Sequence, residues 1–181
     1  MSEPKRCMQA VLAGFGGQGI LFAGKIIANA GLLEDRELSW LPSYGPEMRG
    51  GTANCSVCIS DDPIGSPLVL NPDVLVVMNQ PSLDKFEHSV QPGGLVIVDS
   101  TLVPRISDMP GVTVCAVPAT ALAEEAGLKG LANVILVGKL FAETLFCSEE
   151  TIRAAVAAVV PARKKDKLAG NLRALELGVQ A

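Results

Sequence analysis

The stretch GFGGQG, Gly14 to Gly19, stands between the apolar run CMQAVLA and the periodic segment ILFAGKIIANAG. Glycines at a strand-to-helix turn let the backbone come close to a ligand, and the helix beyond offers unpaired amides to a phosphate. Gly14, Gly16 and Gly19 meet the G-x-G-x-x-G spacing of dinucleotide folds. Two features depart from that pattern. A dinucleotide fold sets an acid at the end of its second strand to hold the ribose hydroxyls, and here Glu34 and Asp35 come before that strand. Within the turn, Gln18 puts an amide where many such folds have a small or apolar residue, and Gly17 adds a fourth glycine. The candidates for a phosphate or diphosphate contact are thus Gly14, Gly16, Gly17, Gln18 and Gly19. The alternative is a turn whose glycines serve only close helix-to-strand packing.

A second chemically rich stretch is SYGPEMRGG, residues 43–51. Pro42, Pro46 and the Gly50-Gly51 pair shape it, while Ser43, Tyr44, Glu47 and Arg49 supply a hydroxyl, a phenol, a carboxylate and a guanidinium. Arg49 could hold a phosphate or carboxylate through two parallel hydrogen bonds, or pair with Glu47 or with a partner subunit. Loops at strand ends are where open α/β sheets build their sites, so this loop is expected to emerge beside the glycine turn.

Other reactive residue types point elsewhere. CSVC, residues 55–58, has a redox or metal spacing, but it lies in the strand-like TANCSVCIS, where side chains three apart face opposite ways. Both cysteines therefore read as packing residues. The five cysteines, odd in number and scattered, fit reduced thiols in the cytoplasm. The single histidine, His88, lies in the polar segment DKFEHSV and reads as a surface residue. The one basic cluster, RKKDK at 163–167, reads as a solvated helix end, and a net charge of −4 gives no footprint for nucleic acid. No apolar run approaches the roughly 18 residues of a membrane span, and the N-terminus carries no leader pattern.

These residues need elements to position them. CMQAVLA (7–13) reads as a buried strand and residues 17–33 as a helix, a βα unit with the glycines at its turn. LSWL is a short strand, residues 42–51 a loop, and TANCSVCIS another strand. DVLVVM (73–78) and GLVIVD (94–99) are continuous apolar runs, as in strands covered on both faces, with a helix between them carrying Pro81 in its first turn. VTVCAVP (112–118) is a strand followed by a helix that ends at Gly127, and the remainder is helical, with a segment opened by Ser148 and two glutamates. The expected architecture is a single α/β domain over 1–181, a three-layer sandwich with a mainly parallel sheet and a helical C-terminal region.

Together, GFGGQGILFAGKIIANAG and LPSYGPEMRGGTANCSVCISDDPIGSPLV resemble the gamma subunit of 2-oxoacid:ferredoxin oxidoreductases, a pyruvate-ferredoxin oxidoreductase gamma-domain family, in particular its 2-oxoglutarate and branched-chain members. PDVLVVMNQPSLDKF, GGLVIVDSTLV, ANVILVGKL and NLRALELG extend the resemblance over nearly the whole chain. It implies a multisubunit enzyme that decarboxylates a 2-oxoacid oxidatively, transfers the acyl group to coenzyme A and passes electrons to ferredoxin. Alpha, beta and ferredoxin-like delta subunits would then carry thiamine diphosphate, magnesium and the iron–sulfur clusters. For this chain the resemblance implies no catalytic and no metal-ligating residue. It implies instead a structural role with coenzyme A contacts at the turn and at Ser43, Tyr44, Glu47, Arg49 and Gly50. The isolated chain is expected to be inactive and able to self-associate through surface meant for its partners. The competing expectation is a free-standing nucleotide- or dinucleotide-binding α/β protein.

Overall fold

The computed structural model describes residues 6–43 and 52–181, apart from the side chains at 52 and 163–165. Its centre is a sheet of six strands: β1 (Cys7–Phe15), β2 (Glu37–Ser43), β3 (Thr52–Ser60), β4 (Val74–Val77), β5 (Leu95–Asp99) and β6 (Thr113–Val117). Their order across the sheet is β2-β3-β1-β4-β5-β6. The pairings β1·β4, β4·β5 and β5·β6 are parallel, while β3 runs antiparallel to both β1 and β2. The sheet is therefore mixed, parallel in its larger part. β3 enters between β1 and β2 as the return strand of the segment after Ser43, which keeps β2 from pairing directly with β1.

Six helices surround it: α1 (Ile20–Leu33), α2 (Gln80–Phe86), α3 (Ala119–Glu125), α4 (Ala132–Thr144), α5 (Glu149–Val159) and α6 (Leu168–Gln180). Alternation along the strands divides the core. Ala10 and Leu12, Cys55, Val57 and Ile59, and Val74 and Val76 face the layer containing α1 and α4. Val11, Ala13, Leu75, Val77, Val96 and Val98 face the other way, against Leu83 of α2. Two-sided burial is why β4 and β5 have almost no polar positions. α5 lies against α1, and α6 lies against α4. Gly138 and Gly178 form that last crossing, where a methyl group on either would overlap the backbone carbonyl of Leu175 or Ile135.

Several boundaries differ from the sequence expectation for physical reasons. α1 begins at Ile20 rather than 17, because Gly17 (φ 97°) and Gly19 (φ 77°) are left-handed and cannot belong to a right-handed helix. β2 runs on through Pro42 to Ser43, which an edge strand tolerates because it can spare one donor. α2 stops at Phe86 and tightens into a 3-10 turn, Glu87–Ser89. At its start the side chain of Asn79 accepts the Ser82 N–H at 2.8 Å. Ser148 does the same for α5, accepting the Thr151 N–H at 3.1 Å, with Glu149 and Glu150 at the positive end of the helix.

The end of the sheet away from the glycine turn is closed by polar ties. The largely buried Arg36 side chain donates to the carbonyls of Arg6 (2.8 Å) and Phe146 (3.2 Å) and lies 2.6 Å from the Asp61 carboxylate. Glu34 accepts the Ser148 N–H at 2.7 Å. No described helix is long and apolar enough to cross a membrane.

Candidate functional site

The glycine turn closes with the Gln18 N–H donating to the Phe15 carbonyl at 3.2 Å. Gly19 caps α1, its carbonyl taking the Ala23 N–H at 3.0 Å; no side chain caps the helix and no acid occupies its first turn. The opening amides of α1 therefore have neither an intrahelical nor a capping acceptor, and the helix presents its positive end. Gly19 is required by packing as well as by conformation. A Cβ there would lie 2.5 Å from Nδ2 of Asn133. That Asn133 amide donates to the Gly19 carbonyl at 3.0 Å. Gln18 turns inward: its Oε1 accepts the Phe15 N–H at 2.5 Å and its Nε2 donates to the Met78 carbonyl at 2.9 Å.

Topology places this turn at a crevice. β1 leads into α1 on one face of the sheet and its parallel neighbour β4 leads into α2 on the other, so the chain diverges outside their carboxyl ends. A hollow of about 230 Å³ lies there, lined among others by Gly17, Gln18, Met78, Thr120, Glu124 and Lys129. A second, of about 240 Å³, lies on the opposite flank of the turn, among Phe15, Gly16, Phe22 and Ala53. Behind the first, the fully buried Asp99 carboxylate accepts the Thr120 hydroxyl (2.5 Å) and the amides of Thr120 (3.3 Å) and Thr101 (3.2 Å), which anchors the start of α3. A larger hollow, about 540 Å³, is at the far end of the sheet beside Arg6, Cys7, Arg36 and Glu143. Its buried guanidinium is already engaged as described, whereas the opening residues of α1, Ile20 to Phe22, line the second hollow, beside the divergence of β1 and β4.

Of the residues expected from sequence, Gly14, Gly16, Gly17, Gln18 and Gly19 form this one turn. Ser43 ends β2 at the same end of the sheet, paired with Asn54, which in turn pairs with Ala13 of β1. It is thus separated from β1 by the width of β3. Tyr44, Glu47, Arg49 and Gly50 lie outside the described residues. Thr120, Lys129 and Asn133 were not expected. Lys129 and Thr120 reach the crevice only through the order of strands. Asn133 did leave a signal, a lone amide in the apolar run ANVILVG, since a buried polar group needs a partner.

Glu34 does not reach the turn: it caps the other end of α1, with Asp35 in the following turn at φ 54°. Neither of these two acids therefore stands where a dinucleotide fold places its ribose-binding carboxylate. Cys55 and Cys58 face opposite sides of β3. Burial pushes the Cys55 thiol up to about 12, against a smaller lowering by Trp40. It pushes Cys58 up to about 11, with Cys7 and Asp73 adding to the shift and Arg36 opposing it. No group of three metal-ligating side chains occurs among the described residues. His88 is exposed, 87% by side chain, beside Glu87.

Comparison with known proteins bears on this arrangement. The family model described as pyruvate ferredoxin/flavodoxin oxidoreductase matches residues 9–181. The ketoisovalerate oxidoreductase subunit VorA of Methanothermobacter thermautotrophicus is 42% identical over 170 residues, 93% of this chain and 35% of its own length. The chain thus spans about a third of that relative. The 2-oxoglutarate synthase subunit KorC of Methanocaldococcus jannaschii is 40% identical over 93% of this chain and 90% of its own. Among solved structures, the gamma subunit of a keto/oxoacid ferredoxin oxidoreductase from Geobacter sulfurreducens superposes with a TM-score of 0.83 at 28% identity, covering 96% of both chains. The 2-oxoglutarate:ferredoxin oxidoreductase from Magnetococcus marinus, solved with 2-oxoglutarate, coenzyme A and succinyl-CoA bound, gives a TM-score of 0.85 at 25% identity, over 97% of this chain and 31% of that one.

Proposed function

Because the chain belongs to the pyruvate ferredoxin/flavodoxin oxidoreductase family, we propose that it is the gamma subunit of a multisubunit 2-oxoacid:ferredoxin oxidoreductase acting on 2-oxoglutarate. The observation that carries this reading is the match to a 2-oxoglutarate synthase subunit of similar length, 40% identical over nine-tenths of both chains. The assembled enzyme would convert a 2-oxoacid and coenzyme A into carbon dioxide and acyl-CoA, passing two electrons to ferredoxin in the cytoplasm. Its ketoisovalerate alternative, suggested by the VorA match, is decided by substrate preference.

In this reading thiamine diphosphate, magnesium and the clusters belong to the alpha, beta and delta subunits. The thiols of this chain fit cluster ligation poorly. They are dispersed, and burial moves Cys55, Cys58 and Cys147 away from the thiolate form that ligation needs. The contribution of this chain is to binding. The amides that open α1, with no acid in the first turn of that helix, suit a phosphate of coenzyme A, and Lys129, which lines the neighbouring hollow at Gly17 and Gln18 together with Glu124, supplies a cation. Ser43 ends β2 at the same end of the sheet, and of the groups that follow it in sequence, Tyr44, Glu47, Arg49 and Gly50, Arg49 is the one whose chemistry suits a phosphate monoester.

The test is a native pull-down of the tagged chain from its own cells, assayed for 2-oxoacid- and coenzyme A-dependent reduction of a viologen dye. Co-purification of alpha- and beta-like subunits with 2-oxoglutarate-dependent activity is the expected result. A chain recovered alone with a bound nicotinamide or flavin would overturn the reading. In the intact complex Arg49→Ala should raise the KM for coenzyme A; loss of assembly instead would make that segment an interface.

A further inference from the structure

We propose that Gln18 and Asn133 are positioning residues that fix the glycine turn from two sides, so that its backbone amides, and not these side chains, meet the ligand. The proposal rests on the coenzyme A reading above for its kinetic consequence, though not for its structural one. Gln18 sits inside the motif where a ligand contact would be expected, yet both ends of its amide are spent on the protein. Oε1 holds the Phe15 N–H at 2.5 Å and Nε2 reaches the Met78 carbonyl at 2.9 Å, tying the turn to the end of β4. The crevice wall between β1 and β4 is thereby one connected piece.

Asn133 acts from the other side. It is 3% exposed, in the first turn of α4, and donates to the Gly19 carbonyl at 3.0 Å. That carbonyl also takes the Ala23 N–H, the first intrahelical bond of α1, so the contact with Asn133 fixes the direction in which the helix starts. Oδ1 of Asn133 is buried with no hydrogen-bond partner among the described residues, a cost against which the bond donated to Gly19 is set. Gly16, Gly17 and Gly19 are the residue type with most backbone freedom to lose. A ligand that had to order them itself would bind more weakly, and a turn held beforehand avoids that cost.

The experiment uses the assembled complex and two readouts. Gln18→Ala and Asn133→Ala should each raise the KM for coenzyme A by roughly tenfold, leaving kcat and the KM for the 2-oxoacid unchanged. Amide hydrogen exchange over residues 14–22 should accelerate in both without ligand present. Gln18→Glu, which keeps the bond from Phe15 but cannot donate to Met78, serves if Gln18→Ala fails to assemble. Gly17→Asp read against Gly17→Asn separates the two readings: a Cβ there would meet nothing within 4 Å, both substitutions strain the turn alike at φ 97°, and only the aspartate brings a charge that would repel a phosphate, so the KM of Gly17→Asp is judged relative to Gly17→Asn. An unchanged coenzyme A KM in Gly17→Asp overturns the coenzyme A reading, and hydrogen exchange then decides the positioning role alone. A raised KM in Gly17→Asp, with unchanged KM and unchanged exchange in the Gln18 and Asn133 variants, overturns the positioning role.

Discussion

The thiols show how far burial, rather than sequence spacing, sets residue chemistry here. Cys7 is exposed, Cys115 half-buried, and Cys55, Cys58 and Cys147 are buried. Desolvation disfavours the thiolate, raising Cys55 and Cys147 to about 12 and Cys58 to about 11. At pH 8 a thiol near 12 is ionised to roughly one part in ten thousand. Iodoacetamide on the native chain should therefore label Cys7 first and leave Cys55 and Cys147 untouched until unfolding, as peptide mass spectrometry would read. Rapid labelling of Cys55 would show that β3 opens to solvent near α1. The opposite facing of Cys55 and Cys58 was legible from period-two alternation alone. The partners of Gln18 were not, because they depend on β4 lying beside β1, a contact across 60 positions of chain.

At the scale of elements, local signals and long-range ones separate cleanly. Ser148 with two glutamates after it announces a helix start, and Ser148 is the cap of α5. Ser148→Ala should cost about 1 kcal/mol, visible as a small fall in Tm. Gly138 and Gly178 carry no such signal, since glycine within a helical pattern reads only as a weak position. Their role comes from the α4–α6 crossing, where the backbones touch with no room for a methyl group. Gly138→Ala, a better helix former by local propensity, should destabilise by about 3 kcal/mol through overpacking against backbone that cannot swing aside. A higher Tm for Gly138→Ala would mean that the two helices separate easily. The same division explains the sheet. The apolar runs of β4 and β5 predicted two-sided burial, but that β3 would enter antiparallel between β1 and β2 is a matter of pairing partners, which composition does not specify.

For the whole molecule, the question is whether the helical C-terminal region is a unit apart or part of one cooperative fold. The strands argue for the second. In β1, Ala10 and Leu12 belong to the layer with α1 and α4, while the intervening Val11 and Ala13 belong to the layer with α2; β4 divides its residues in the same way. Neither layer can keep its packing if the sheet is lost, because adjacent residues of the same strands build both. The C-terminal helices are bound into the first layer by Ile135, Leu136 and Leu140 of α4, Ile152 and Val156 of α5, and Leu175 of α6, all 2% exposed or less. α5 is further joined to α6 through Arg153, which bridges Glu149 and Glu176 at 3.0 and 2.8 Å. Calorimetry should accordingly show a single transition with matching calorimetric and van't Hoff enthalpies. Leu175→Ala, which hollows the α4–α6 contact, should lower that one Tm by an amount corresponding to about 2–5 kcal/mol and leave the transition single. Two resolved transitions, with only one of them moved by Leu175→Ala, would make the helical region a separate folding unit. The positioning of Gly19 by Asn133 would then be a contact between units, and the glycine turn would loosen whenever α4 did.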